Sequence, residues 1–280
     1  MLVFKTKSEL IEYLKPSIPQ ENIGFVPTMG ALHKGHISLV EKAKKENEIV
    51  VVSIFVNPTQ FNNSSDLVNY PKTLDNDLKM LEEANCDCVF VPSVEEMYEQ
   101  NINSETFEFD GLENEMEGKF RPGHFDGVGT IVRRLFEIVN PTNAYFGEKD
   151  FQQLQIIKKM VAKTSLEVNV IGCSIFREKD GLAMSSRNMR LTEAQRKASP
   201  FIYETLQKAK KLFSEEKRND ICEWVENQFK TQSELELEYF IIAEEESLKE
   251  IKTGSDSVKP RAFIAVFAGE IRLIDNISLI

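Results

Sequence analysis

The chain has 280 residues, a formal net charge of -11, 41% hydrophobic residues and 28% charged residues. This is the composition of a globular protein long enough for about two domains, which excludes a disordered or fibrous chain. The acidic balance argues against general affinity for nucleic acid or for anionic membranes, which requires clustered positive charge. A site for a small anionic substrate is still compatible with it, because such a site needs only a few cations.

The N-terminal residues and the cysteines predict a soluble cytoplasmic protein. Lysines and glutamates interrupt the start of the chain, so no secretory signal can form there. The longest strongly apolar run covers residues 49–56, whereas a membrane span needs about 20 residues. The four cysteines form no CxxC pair and are expected to be small buried side chains in a reducing compartment. We therefore expect neither a membrane nor a nucleic-acid partner.

Strand-like and helix-like segments alternate over the first two thirds of the chain. The predicted strands are short apolar runs, over residues 22–27, 49–56, 88–91, 144–146 and 168–175. The predicted helices lie between them, over residues 36–46, 71–84, 127–139 and 150–162. This alternation predicts βαβ units and therefore an α/β fold with a Rossmann-like parallel sheet flanked by helices.

The pattern changes after about Arg177. Residues 192–230 are predicted to be helix-rich, and antiparallel strands are predicted over residues 239–242, 261–267 and 271–274. We therefore expect two domains. Residues 1–176 would form the Rossmann-like domain, and residues 177–280 a smaller α+β domain that acts as a lid.

The first candidate site follows the first predicted strand, where residues 27–36 have the sequence PTMGALHKGH. A helix N-terminus after a strand presents free N–H groups and a positive dipole end to phosphate. Gly30 and Gly35 allow the backbone to approach a ligand, and His33 and His36 can donate hydrogen bonds to phosphoryl oxygens. The alternative is two ordinary loop histidines beside a turn. The strand-to-helix context favours the phosphate site.

Amide side chains form a second candidate site. Asn57 and Gln60, in the segment VNPTQF, follow the most apolar predicted strand and could pair with the hydroxyl and carboxylate groups of a small acid. Two further amides, Gln152 and Gln153, are about 100° apart on a predicted helix, so only one of them can face a site. The alternative for Asn57 and Gln60 is a Pro-bounded turn with solvated amides.

Cationic and hydroxyl side chains form the remaining candidates. Lys149 suits phosphate, and Asp150 could cap a helix or bind a ribose hydroxyl. Ser185, Ser186 and Arg187 match the β- and γ-phosphates of ATP, with Arg187 able to neutralise a leaving diphosphate. The alternatives are a surface lysine and a capped turn with a surface arginine.

Five blocks in register resemble the pantothenate synthetase (pantoate–β-alanine ligase) family of the nucleotidyltransferase superfamily. They occur in that family's order, between Thr28 and Asn188, and are TMGALHKGH, VNPTQF, RPGHFDGV, GEKDFQQL and DGLAMSSRN. The His-x-Gly-His motif alone is similar to the signature of the whole superfamily. The five blocks together are much more specific, although the C-terminal third carries no such motif.

The resemblance implies an AMP-forming ligase. In this reaction ATP drives the condensation of (R)-pantoate with β-alanine through a pantoyl adenylate, giving pantothenate, AMP and diphosphate. It also implies a homodimer, a first domain that binds ATP and pantoate, and Mg²⁺ as the cation for the ATP phosphates. We expect His33, His36, Lys149 and Arg187 to be the catalytic residues, with His36 or a nearby water moving a proton.

The resemblance also assigns binding residues. The residues implied to bind ATP are Met29, Gly30, Ala31, Leu32, His33, Lys34, Gly35, His36, Gly147, Glu148, Lys149, Asp150, Phe176, Met184, Ser185, Ser186 and Arg187. The residues implied to bind substrate are Gln60, Gln153 and Asn57. The family often has an acidic residue at position 76, and its replacement by Asn76 leaves Asp77 as the better candidate for a magnesium ligand. Arg121 and His124 are implied to lie near the substrate or to have a structural role.

Two other functions are compatible with part of the pattern. A nucleotidyltransferase that keeps the nucleotide in its product would share the His-x-Gly-His motif, but Gln60 and Gln153 suit a small hydroxy acid and favour the ligase. A non-catalytic ATP-sensing module is disfavoured, since it would need no pocket for a second substrate.

Overall fold

The computed structural model describes residues 1–17, 22–62, 67–99, 101–213, 218–251 and 258–280. The chain divides into two compact units. The first unit is Met1–Glu148 with Gln152–Ser174, and the second unit is Lys149–Phe151 with Ile175–Ile280. The predicted division at residue 176 and the lid role stay predictions. The short segment Lys149–Phe151 groups with the second unit, which the sequence did not indicate.

The first unit contains a six-stranded parallel sheet with the order β1-β4-β3-β2-β5-β6. Its strands are β1 Leu2–Phe4, β2 Ile23–Thr28, β3 Ile49–Ile54, β4 Cys88–Phe90, β5 Asn143–Gly147 and β6 Asn169–Cys173. After β2 the chain adds strands on one side of β2, and β5 then returns to its other side. A parallel sheet binds ligands at the carboxyl ends of strands next to such a reversal. The predicted fold class is confirmed.

Seven helices connect or flank these strands in the described part of the first unit and at its junctions. They are α1 Lys7–Leu14, α2 Lys34–Glu46, α3 Leu74–Glu83, α4 Val94–Tyr98, α5 Met116–Phe120, α6 His124–Val139 and α7 Phe151–Thr164. The sequence prediction missed β1 and α1. It also placed the start of α6 three residues late, because Gly123 adopts a left-handed conformation (φ 77°) that begins the helix at His124.

Strand β3 is covered on both faces, as its continuous apolar run predicts. Val50, Val51 and Val52 are completely buried. Cys86 and Cys88 are buried beside this strand, and burial raises the pKa of the Cys86 thiol to about 12. Both cysteines are therefore protonated packing groups, as expected, and are poor nucleophiles.

The second unit contains a three-stranded antiparallel sheet, β7-β8-β9, packed against helices. The elements are α8 Glu193–Ala198, α9 Phe201–Phe213, α10 Arg218–Phe229, β7 Glu236–Glu244, β8 Pro260–Ala268 and β9 Ile271–Ser278. The three predicted strands are present and each is longer than predicted. Residues 214–217, inside the predicted helix-rich segment, lie outside the described residues. None of the helices in the described part of the chain is long and apolar enough to cross a membrane.

A buried ion pair ties the start of the second unit to its last strand. The Arg177 guanidinium donates to both carboxylate oxygens of Asp275, over 2.6 Å and 2.9 Å, and the Asp275 side chain is only 2% exposed. Arg177 also lies 3.6 Å above the ring of Tyr203. The backbone N–H of Asn276 donates to the same carboxylate. Losing the arginine would therefore leave a buried carboxylate without its main partner.

The Arg177→Met substitution should lower the free energy of unfolding by about 3–5 kcal/mol, since it leaves the buried Asp275 carboxylate without its ion-pair partner. Arg196→Met is the matched control. The Arg196–Asp180 pair has the same 2.6 Å separation but side chains that are 35% and 40% exposed, so its loss should cost less than about 1 kcal/mol. Urea unfolding followed by circular dichroism measures both. Equal losses would contradict a special role for the buried pair.

Candidate active site

A sharp turn at the carboxyl end of β2 places the His-x-Gly-His segment. Thr28, the last residue of β2, donates from Oγ1 to the carbonyl of Ser53 and accepts from the N–H of Gly30. Gly30 and Ala31 then both have positive φ angles, of 82° and 50°. This reverses the chain within a few residues, so that α2 begins at Lys34. The predicted phosphate-binding residues 29–36 therefore lie together at one strand end.

The side chain of Asp77, in α3, binds the backbone of this turn. Its two carboxylate oxygens accept hydrogen bonds from the N–H groups of Ala31, at 2.9 Å, and Leu32, at 2.8 Å. Oδ1 also accepts from the Thr73 hydroxyl, at 3.0 Å, and the residue is 1% exposed. The expectation that Asp77 binds a metal finds no support in these contacts, because both oxygens are already used inside the protein.

The two histidines cap α2 and thereby fix their own tautomers. His33 Nδ1 accepts from the N–H of Gly35 at 3.1 Å, and His36 Nδ1 accepts from the N–H of His33 at 3.3 Å. The rings stack with centroids 4.0 Å apart. A ring nitrogen that accepts from an N–H carries no proton, so in the neutral imidazoles the proton is on Nε2. Each ring thus offers an Nε2–H donor.

The turn that carries Gln60 lies after β3 and is held from within by Asn57. The Asn57 side chain is 1% exposed, donates from Nδ2 to the Gln60 amide oxygen and to the carbonyl of Gly127, and accepts from the Tyr98 hydroxyl. Burial raises the pKa of Tyr98, which keeps this hydroxyl protonated as a donor. The substrate contact expected for Asn57 stays a prediction, and its contacts favour a role in holding Gln60.

The start of α6 holds the backbone of the same turn. Arg121 and His124 both contact the carbonyl of Gln60, over 3.2 Å and 2.9 Å. Gly127 packs so closely that a Cβ there would lie 2.5 Å from the carbonyl oxygen of Thr59. The RPGHFDGV block could be recognised in the sequence, but only the structure identifies what these residues hold.

The turn after β2, which contains Met29, contacts the turn after β3, which carries Gln60. The Gln60 side-chain amide donates to the sulfur of Met29 over 3.0 Å, because β2 and β3 are paired neighbours whose carboxyl ends lie at the same edge. Gly147 ends β5, the other neighbour of β2. The turn that is predicted to bind phosphate and the half-buried Gln60 amide are therefore side by side at the carboxyl ends of the strands, where parallel sheets bind ligands.

Gln152 and Gln153 have different environments, as their spacing predicts. Gln152 is buried, and its amide donates to the carbonyls of Leu112 and Glu115 and accepts from the N–H of Glu117. These three contacts give Gln152 a structural role. Gln153 is half-buried and stays the predicted substrate ligand.

Within the second unit, Lys149 is held through its backbone. Asn276 of β9 donates to the carbonyl of Lys149 over 3.1 Å, and Arg261 of β8 donates to the side-chain oxygen of Asn276. Lys149 Nζ lies 3.8 Å from Asp150. The C-terminal third of the sequence carries no motif of the family, yet Arg261 and Asn276 fix this lysine. The signal for them in the sequence is a polar residue within an otherwise apolar strand.

The last three residues of the DGLAMSSRN block begin a short 3₁₀ turn, Ser186–Arg190, in the second unit. Ser185 caps it by accepting from the N–H of Arg187, and Ser185 and Lys149 both line a small cavity of about 10 Å³. The carbonyl of Phe176 accepts from the N–H of Met184, so one of its backbone groups is already used. The ATP contacts expected for these residues stay predictions.

The described residues do not form a metal site. No group of three or more His, Cys, Asp or Glu side chains among them is arranged to hold a metal ion. Asp77 is engaged by two N–H groups, and Asp75 is exposed in the first turn of α3. These contacts therefore do not support Asp77 as a magnesium ligand.

A family comparison agrees with this geometry. The family model described as pantoate-beta-alanine ligase matches residues 2–278. The chain belongs to this family. Pantothenate synthetases of Flavobacterium psychrophilum and Christiangramia forsetii are each 53% identical to it, with the alignments covering all of this chain and 100% and 99% of the relatives. The family resemblance inferred from the five motifs is confirmed, and with it an enzyme of the ligase class.

Solved structures of the same family resemble this chain along its whole length. The pantothenate synthetase of Thermus thermophilus has a TM-score of 0.92 and 39% identity, and the match covers 100% of this chain and 99% of that one. The pantoate-beta-alanine ligase of Francisella tularensis, complexed with beta-gamma ATP and beta-alanine, has a TM-score of 0.84 and 37% identity, with 100% and 98% covered.

The Gly127→Ala substitution should displace the turn that carries Gln60, because its Cβ would meet backbone atoms that cannot move separately. We expect a loss of about 1–3 kcal/mol in the free energy of unfolding, measured with urea. Gly147→Ala is the control, since no atom outside its immediate neighbours lies within 4 Å of its added Cβ. Wild-type stability of Gly127→Ala would contradict the close packing of α6 on this turn.

Proposed function

We propose that this chain condenses (R)-pantoate with β-alanine, using ATP and producing pantothenate, AMP and diphosphate through a pantoyl adenylate. The observation that carries the proposal is the contact between Gln60 and Met29, over 3.0 Å. It puts an amide suited to a hydroxy acid beside a loop suited to phosphate. That pairing supports a ligase over an enzyme that only transfers the nucleotide or a module that only senses it.

In the first step the pantoate carboxylate attacks the α-phosphorus of ATP in line, and diphosphate leaves. The protein contributes mainly by orienting pantoate and ATP and by neutralising the negative charge that develops on the leaving diphosphate. Gln60 and Gln153 bind pantoate by its hydroxyl and carboxylate groups. Residues 29–36 bind the phosphates, with the N-terminus of α2 and the Nε2–H groups of His33 and His36 as donors.

Four further residues contribute to the proposed ATP site. Lys149 and Arg187 neutralise the leaving diphosphate, and the hydroxyls of Ser185 and Ser186 bind its oxygens. The contact of Lys149 with Asn276 supports this role, because a fixed backbone lowers the entropy lost when the lysine engages phosphate. Gly147, Glu148, Asp150, Phe176 and Met184 form the rest of the nucleotide site in this proposal.

In the second step the β-alanine amine attacks the acyl carbon of the adenylate and AMP leaves. An aliphatic amine with a pKa of about 10 is mostly protonated at neutral pH, so it must lose a proton at the site. His36 Nδ1 already accepts from a backbone N–H, which supports a donor role for this ring rather than a base role. The proton is then relayed through a water molecule to bulk solvent before the amine attacks. Exclusion of bulk water protects the adenylate from hydrolysis.

The proposal also includes a cation, a cellular compartment and an oligomeric state. ATP enters with Mg²⁺ bound by its own phosphates and by water, which is the usual state of magnesium at such sites. The chain acts in the cytoplasm, where its four free cysteines stay reduced. It acts as a homodimer, as the family resemblance implies.

Exchange of labelled diphosphate into ATP tests this proposal. Exchange that requires pantoate, with β-alanine absent, is the expected result, because reversal of the first step re-forms ATP. If exchange is absent, the complete mixture decides: AMP release that needs both substrates would mean that β-alanine must bind before the chemistry. No AMP in the complete mixture would contradict the proposal.

His36→Ala should lower kcat by about 100-fold or more, since it removes a donor to the phosphate oxygens in the transition state. His36→Gln is the informative comparison, because its amide N–H can replace the Nε2–H donor but cannot act as a base at neutral pH. We expect His36→Gln to recover part of the lost kcat in steady-state assays. Equal loss in both variants would contradict the donor role.

Gln153→Ala should raise the KM for pantoate about 10-fold or more and leave the KM for ATP within about twofold, because it removes hydrogen bonds to the acid alone. Gln155→Ala is the matched control, being two residues further along α7 and on the opposite side of the helix. Parallel increases in both KM values would show that Gln153 is not a specific pantoate ligand.

A further inference from the structure

We propose that Asp77 is a positioning residue, which holds the turn from Gly30 to His33 in the conformation that binds the ATP phosphates. This inference rests on the proposed function of residues 29–36. It assigns Asp77 no contact with substrate or metal. Its action passes through the backbone of the turn to the two histidines that follow.

The hydrogen bonds of Asp77 all point to this role. Its carboxylate accepts from two consecutive backbone N–H groups, of Ala31 and Leu32, and from the Thr73 hydroxyl one helical turn earlier. The residue is 1% exposed, so the carboxylate has lost its hydrogen bonds to water. The three hydrogen bonds within the protein replace them. A charged acceptor binds N–H groups more strongly than a neutral one, which makes the clamp stiff.

The turn requires such a clamp because its backbone is strained. Ala31 has φ 50°, a left-handed conformation that residues with a Cβ rarely adopt, directly after Gly30 with φ 82°. Consecutive residues of this kind persist only where the surroundings fix them. A Cβ on Gly30 would lie 3.1 Å from Asp77 Oδ2, so the carboxylate also packs directly beneath the turn.

Charge explains why the carboxylate does not oppose ATP binding. A buried negative group near a phosphate site would repel the nucleotide if its charge were free. Here two N–H dipoles and a hydroxyl are aimed at the carboxylate, which spreads its charge into the turn. The clamp therefore shapes the binding loop at little electrostatic cost to its ligand.

Asp77→Asn should lower kcat by about 10-fold or more, because its amide has one acceptor oxygen and sets an NH₂ group against a backbone N–H. Asp75→Asn is the matched control on the same helix, where the side chain is exposed, and its kcat should stay within about twofold of the wild type. Wild-type kcat in Asp77→Asn would overturn the inference. Failure of the proposed function is a separate result, since it would appear in the wild-type enzyme.

A double-mutant cycle separates positioning from a general effect on folding. If Asp77 acts through the histidines, the loss of kcat caused by Asp77→Asn should be smaller in the His36→Ala background, because one of the two donors that it positions is already gone. Circular dichroism at the assay temperature gives the folded fraction used to correct each kcat. Fully additive losses, or losses that vanish after this correction, would overturn the inference.

A magnesium titration separates positioning from metal binding. For a positioning residue, the Mg²⁺ concentration that gives half-maximal activity should be the same within about twofold in Asp77→Asn and the wild type. A shift of about 10-fold or more, or restored activity at high Mg²⁺, would overturn the inference in favour of a metal ligand.

Thr73→Val keeps the test decisive if Asp77→Asn does not fold. This variant removes one of the three hydrogen bonds to the carboxylate and leaves its charge in place. We expect a smaller loss of kcat, of about two- to fivefold, that is also reduced in the His36→Ala background. An unchanged kcat in folded Thr73→Val, together with an unfolded Asp77→Asn, would reduce Asp77 to a residue needed only for stability and would overturn the inference.

Discussion

The parallel pairing of β2 with β3 is the constraint on which the candidate site depends. These strands are in register from Ile23 with Ile49 to Thr28 with Ile54, and the ladder continues where the N–H of Phe55 donates to the carbonyl of Thr28. Parallel strands in register end together, so the chain must leave β2 and β3 at neighbouring points. One exit becomes the turn of residues 29–33, which is proposed to bind phosphate, and the other becomes the turn with Gln60.

Buried polar side chains then fix the conformations of the turns that follow these strands. Asp77 accepts from the backbone of the first turn, and Asn57 and His124 bind the second. In the second unit, Asn276 does the same for Lys149. Each of these four holding residues is at least nine-tenths buried, whereas His33 and Gln60, which they help to position, are only partly buried. The residues proposed to face the ligands and the residues that hold them are thus separate, an arrangement that keeps a binding site rigid before its ligand arrives.

Much of this arrangement could be predicted from the sequence. The apolar run of β3 and the alternation of strands and helices predicted a parallel sheet, and five motifs in order indicated the ligase family before any comparison. Strand β1 was missed because it is three residues long and largely exposed, so it has no apolar run to detect. Local patterns also cannot foresee strand lengths in the second unit, since pairing partners set where β7, β8 and β9 end.

The holding residues were the hardest to predict, for a physical reason. Asp77 has the residue type of a metal ligand, and only its distances to two N–H groups favour a different role. Asn57 has the residue type of a substrate ligand, yet its amide is used within the turn. Arg261 and Asn276 belong to no motif that the sequence analysis could use. Hydrogen bonds between residues far apart in sequence define these roles, and a single sequence does not contain those distances.

In the proposed reaction, the carboxylate of pantoate attacks the α-phosphorus of ATP at the carboxyl ends of β2 and β3. The most direct measurement uses pantoate with ¹⁸O in its carboxylate, in the complete reaction, followed by mass spectrometry of the nucleotide and phosphate products. Attack by the carboxylate predicts one ¹⁸O atom in each AMP, because the attacking oxygen stays on phosphorus when the amine displaces AMP. Label in inorganic phosphate with ADP as the nucleotide product, or AMP without label, would contradict it.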